Sequence, residues 1–150
     1  MTRMFIAVAF VLGASFCLAT AEESDVAKML SSLSVMTTLI EADDYTVSHI
    51  TVDRLEQGED YSTQRYLYEG NDYKIIAVGG QGIKDFDLYV YDGDGELVEQ
   101  DADTTNVPIL LFHISSSGTY TIKSKAYKME EGAEDDECLF GYAIGWKREE

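Results

Sequence analysis

Between Tyr45 and Trp146 the chain is cut by turn residues into short β-branched and aromatic segments, and this pattern constrains the fold more than any other feature. The breaks fall at Gln57-Gly58-Glu59-Asp60, Glu69-Gly70-Asn71-Asp72, Gly79-Gly80, Asp92-Gly93-Asp94-Gly95 and Ser115-Ser116-Ser117-Gly118. Between them lie the candidate strands 47–55, 61–68, 73–78, 85–91, 96–100, 107–114, 119–127 and 139–146. Several short β-branched and aromatic strands at a spacing of roughly 8–12 residues predict an antiparallel sandwich or barrel. The Asp-Gly-Asp-Gly turn is a strong hairpin signature, because glycine supplies the positive φ that tight turns require. Residues 107–114 are almost continuously apolar, as expected of a strand buried on both faces. Pro108, the single proline, belongs at a strand start or an edge, where its missing N–H costs no ladder bond.

Upstream the period changes. Val26, Met29, Leu30, Leu33, Met36 and Ile40 recur every three or four residues, which predicts a helix over 22–44 with one apolar stripe. The stripe is too short for a coiled coil and is expected to pack on the domain beside it. Before the helix, Arg3, the apolar run Met4–Leu12 and the small-x-small triplet Ala19-Thr20-Ala21 read as a secretory signal peptide over 1–21. The run falls short of the roughly 20 apolar residues that a membrane span needs. Export to the periplasm or beyond follows, with a sandwich domain over 45–150 after the helix. Removal of residues 1–21 takes Cys17 away and leaves Cys138 alone, so the mature chain has no internal disulfide. Cys138, between Glu134-Asp135-Asp136-Glu137 and Leu139-Phe140, is expected to be a buried strand cysteine.

The balance of 28 acidic against 11 Lys plus Arg residues gives a formal net charge of −17. Nucleic acid is excluded as a partner, since phosphate neutralisation needs clustered cations, and so is docking on an anionic membrane surface. With 45% hydrophobic and 11% aromatic residues, the chain is equally unlike a disordered acidic tail.

Asp85-Phe86-Asp87-Leu88-Tyr89-Val90-Tyr91-Asp92, a glycine turn, and then Ser117-Gly118-Thr119-Tyr120-Thr121-Ile122 together resemble bacterial pre-peptidase C-terminal domains. The Tyr-rich segment 61–68, the turn at Gly70 and the apolar segment 73–78 stand in the same order, so the resemblance spans about residues 57–147. It implies a jelly-roll-like β-sandwich, usually appended to secreted proteases and other exported enzymes as a non-catalytic module for binding, folding or secretion. This chain is expected to depart from that pattern by its N-terminal helix and by standing without an attached catalytic domain.

Catalytic chemistry finds few candidates. His49 and His113 are the two imidazoles, and neither accompanies a nucleophile motif. His113, within Leu110–Ile114, is expected to be a satisfied strand histidine. No His/Cys spacing suits zinc. Asp92-Gly93-Asp94-Gly95-Glu96 begins like an EF-hand loop, but its sixth position is Leu97 and its twelfth is Asp103. Asp85, Asp87, Asp92, Asp94, Asp101 and Asp103 are left with two readings, a solvated acidic face or a Ca²⁺ site on the sandwich loops. Alternation puts Asp85 and Asp87 with Tyr89 and Tyr91 on one face, which is expected to be directed to solvent. The residues thus predict an exported, non-catalytic module for a protein or glycan partner. The competing class is a small secreted hydrolase using paired carboxylates.

Overall fold

The computed structural model describes residues 25–148; the signal-peptide reading of residues 1–21 and the start of the helix lie outside them. Helix α1 occupies residues 25–42 and is followed by eight strands. These are β1 (Thr46–Leu55), β2 (Asp60–Leu67), β3 (Asn71–Gly79), β4 (Ile83–Tyr91), β5 (Leu97–Asp101), β6 (Ile109–Ile114), β7 (Gly118–Met129) and β8 (Cys138–Arg148). They form two antiparallel four-stranded sheets ordered β1-β8-β3-β6 and β2-β7-β4-β5. Successive strands cross repeatedly from one sheet to the other, which is the jelly-roll arrangement. The expected fold class therefore holds.

Period-2 alternation drives the packing. Phe86, Leu88 and Val90 of β4, Ile122 of β7, Ile75 of β3 and Phe140, Tyr142 and Ile144 of β8 turn inward to form the core between the sheets. Tyr61 and Phe86 pack on Phe140, with ring centroids 5.3 and 5.4 Å away. The β4–β5 turn is built as its sequence predicts. Gly95 takes φ 85°, and Asp92 Oδ1 accepts from the backbone N–H groups of Asp94 and Glu96 at 3.0 and 2.9 Å.

A second core lies on the outer face of the first sheet. Met29, Leu33, Met36 and Ile40 of α1 press on Ile76 and Ala143, with Tyr45, Val47, Val78 and Leu139 at the margin. Val26 and Leu30, read as part of the stripe, are exposed. The helix comes close because β8 presents Gly141, Ala143 and Gly145 to it. A Cβ on Gly145 would stand 2.3 Å from Ile40 Cγ2, and one on Gly141 would stand 3.1 Å from Met29 Sδ. The helix ends in a Schellman motif. Tyr45 N–H donates to the Ile40 carbonyl at 3.2 Å and Asp44 N–H to that of Glu41 at 3.1 Å, with Asp44 at φ 65°. Lys74 of β3 then ties Asp43 to the sheet through an ion pair.

β6 corrects an expectation. It is an edge strand, not one buried on both faces: Leu110 and Ile114 are buried, while Ile109 and Leu111 are exposed. Pro108 directly precedes it and accepts a hydrogen bond from Ala77 N–H at 3.0 Å, as its placement at a strand start requires.

Candidate functional site

At one end of the sandwich the inward-facing positions stop carrying core residues. The inner row of β8 runs Cys138, Phe140, Tyr142 and Ile144, then continues as Trp146 and Arg148. In β1 the same face carries His49, paired with Ile144, just past a bulge at Ser48 whose hydroxyl donates to the Ile144 carbonyl at 3.2 Å. In β2, Arg65 lies between the inward residues Thr63 and Leu67. The sheets open here into a groove of about 590 Å³, lined by these side chains together with Tyr66, Tyr68, Glu69, Asn71, Tyr73 and Ser117.

The groove is braced from the β2–β3 turn. Gly70 takes φ 77° and its N–H donates to the Ile114 carbonyl at 2.9 Å. Tyr73 hydroxyl accepts from Tyr68 N–H at 3.0 Å, and Ser117 Oγ accepts from Glu69 N–H at 2.8 Å. Behind it Tyr73 stacks on Phe112 with centroids 5.9 Å apart. Tyr66 and Tyr68 meet edge to face at 5.1 Å and are 56% and 60% exposed, and Trp146 is 36% exposed. Three large aromatic side chains on a braced rim form a rigid amphipathic surface, apolar on their faces and able to hydrogen-bond at their polar ends. Partial burial, together with the nearby Arg65 charge, lowers the His49 pKa, so this imidazole is neutral at pH 7.

A larger crevice of about 740 Å³ opens at the opposite end, between α1, the β3–β4 turn and the β7–β8 loop. Its lining has no aromatic residue and is rich in acids, including Asp25, Glu130, Glu131, Asp136 and Glu137. Its cations are engaged locally: Lys28 donates to Gln81 Oε1 at 2.8 Å, and Arg54 donates to the Glu137 carbonyl at 3.1 Å. Cys138 borders this crevice and is buried, as expected, with burial and the neighbouring Asp136 pushing its thiol pKa up.

The six aspartates singled out in the sequence are not one site. Among the described residues no three His, Cys, Asp or Glu side chains are grouped so as to hold a metal ion. Asp94 and Asp103 are exposed in turns. Asp92 caps the hairpin, and Asp101 accepts from Ile109 N–H at 2.9 Å and Asp103 N–H at 3.3 Å, so these two carboxylates serve their own loops. Asp85 and Asp87 are not directed to solvent; they are only 6% and 4% exposed, because β4 lies between β7 and β5. Asp85 Oδ1 is buried without a hydrogen-bond partner, while Asp87 accepts from Tyr89 hydroxyl at 2.9 Å. Burial pushes the Asp87 carboxyl pKa up, with the charges of Asp85 and Asp101 acting in the same direction. His113 contacts Asp72 Oδ1 through Nδ1 at 2.9 Å, a cross-strand pair between β6 and β3.

No family model and no curated relative matches the chain. Among solved structures it is similar to a periplasmic inhibitor of g-type lysozyme from Aeromonas hydrophila, at 11% identity and TM-score 0.48, over 66% of this chain and 85% of that one. A carbohydrate-binding module from Cellvibrio mixtus lichenase 5A, in complex with cellotriose, gives 13% identity and TM-score 0.37 over 73% and 95%. A further carbohydrate-binding module, in complex with β-1,4-galactotriose, gives 15% and 0.36 over 73% and 94%. At these identities and scores the likenesses carry no functional argument, and the reading below rests on the groove.

Proposed function

We propose that the protein is an exported, non-catalytic binding module that holds an oligosaccharide across the groove at the β1–β2–β8 end. The observation carrying this reading is the exposed aromatic set Tyr66, Tyr68 and Trp146 on a groove of about 590 Å³. A pyranose ring is apolar on its C–H faces and polar around its edge. Flat aromatic faces take the first part, and Ser48, His49, Asn71 and the arginines can hydrogen-bond the second. A hydrolase working through paired carboxylates needs two acids flanking the scissile bond, whereas among the described residues Glu69 is the one acid lining this groove. The resemblance of residues 57–147 to pre-peptidase C-terminal domains supports the same accessory role, and the signal-like residues 1–21 support export. No helix among the described residues is long and apolar enough to cross a membrane.

Calorimetric titration with a panel of neutral and acidic oligosaccharides tests the proposal. Binding should be saturable, and Tyr66→Ala, Tyr68→Ala or Trp146→Ala should each weaken it by about 2 kcal/mol, roughly thirtyfold, as aromatic anchors do. Turnover of a glycan or peptide substrate, or binding indifferent to all three substitutions, would overturn it.

A further inference from the structure

The groove's charge is opposite to that of the chain carrying it. Arg54, Arg65 and Arg148 are the arginines of the described chain, and two of them line this groove. Neither Arg65 nor Arg148 has an acid within ion-pair distance among the described residues, whereas Lys28, Lys74 and Lys123 pair with Asp25, Asp43 and Asp60. The Arg65 guanidinium uses Nη1 on the Gln64 carbonyl at 2.9 Å, and its Nε is buried with no hydrogen-bond partner. Among the described residues Glu69 is the single counter-charge on the lining, and its main chain is fixed by Ser117. Guanidinium groups without an acidic partner in a partly desolvated groove suit a planar carboxylate acceptor.

We infer that the groove selects a carboxylate-bearing oligosaccharide, one containing uronic acid units, over a neutral sugar of the same length. The inference rests on the reading of this groove as a glycan site and names the class of glycan. A uronate ring offers both chemistries at once, a C–H face for the aromatic rim and a planar carboxylate for a guanidinium. A net charge of −17 repels an anion over the rest of the surface, so the groove is where an acidic ligand can settle.

The experiment compares oligogalacturonate, cello-oligosaccharide of equal length and polyglutamate, titrated calorimetrically into the intact protein, Arg148→Gln and Arg65→Gln. Oligogalacturonate should bind about tenfold tighter than the neutral oligomer, the difference expected of one charge-assisted hydrogen-bonded pair. Either substitution should abolish this preference, weakening oligogalacturonate by about tenfold more than it weakens the neutral oligomer. Arg148 is exposed, so its replacement keeps the fold, and a melting curve checks the partly buried Arg65. Equal affinity for both sugars overturns the inference and leaves the glycan reading standing. Polyglutamate binding as tightly as oligogalacturonate overturns it in favour of an acidic peptide. Failure of both sugars to bind overturns the glycan reading and the inference together.

Discussion

Asp87 shows how far position within a sheet can alter a residue's chemistry. Its strand is internal, so neighbours on both sides close over an outward-facing carboxyl. Burial raises its pKa, and the same surroundings, with Asp87 itself, push the Tyr89 hydroxyl up to about 12. A carboxyl whose pKa is higher folded than unfolded favours the native state at low pH, and that advantage disappears as pH rises through the folded value. Asp87→Asn keeps an oxygen for Tyr89 and removes the charge, so it should raise the melting temperature at pH 7. The gain should shrink as pH falls through the raised folded value and be gone by about pH 4, the ordinary carboxyl range; thermal melts across pH decide it. Asp43 has the opposite sign. The Lys74 ammonium holds its pKa below the usual value, so its stabilisation is present above that value and lost as pH falls through the lowered one. Asp43→Asn should therefore lower the melting temperature at pH 7 and match the parent in strong acid. Alternation assigned Asp85 and Asp87 to the correct face of β4, but burial on that face depends on which strands lie alongside, and a local pattern does not contain that information.

At the scale of elements, α1 was legible because 3.6-residue periodicity is local. Its four innermost contacts, Met29, Leu33, Met36 and Ile40, belong to the stripe that the sequence displays. The exposure of Val26 and Leu30 was not legible, since it depends on where the helix lies over β8 and β3. The small residues beneath it decide that placement. Gly145→Ala would put a methyl 2.3 Å from Ile40 Cγ2, and it should cost about 1–3 kcal/mol in chemical denaturation as an overpacking change. Leu33→Ala, which empties the same layer from the helix side, should cost about 2–5 kcal/mol. If both substitutions were neutral, the helix would not be docked on β8. The reading of 107–114 failed for a related reason. An edge strand can carry exposed Ile109 and Leu111 and mimic the continuous apolar run of a buried one.

For the molecule as a whole, turn chemistry and strand spacing were enough to predict a sandwich, while the groove emerges only once distant strands are paired. Arg65, His49, Trp146 and Arg148 come from β2, β1 and β8, and no motif joins them in sequence. One trace was present: an arginine occupies an inward position of β2 between Thr63 and Leu67, where a core residue would be expected. The conspicuous acids drew attention elsewhere, although they mostly cap turns or lie exposed. With no three ligating side chains grouped among the described residues, Ca²⁺ and Mg²⁺ should raise the melting temperature alike, by screening. A Ca²⁺-specific rise that disappears in Asp85→Asn plus Asp87→Asn would contradict this. The most direct test of the central claim uses the chain's single tryptophan, Trp146, which lies in the groove. Oligosaccharide titration followed by tryptophan emission should give a saturable change, with an acrylamide quencher losing access in step with calorimetric occupancy. Calorimetric binding that leaves both the emission and the quenching of Trp146 unchanged would place the ligand elsewhere and contradict the account.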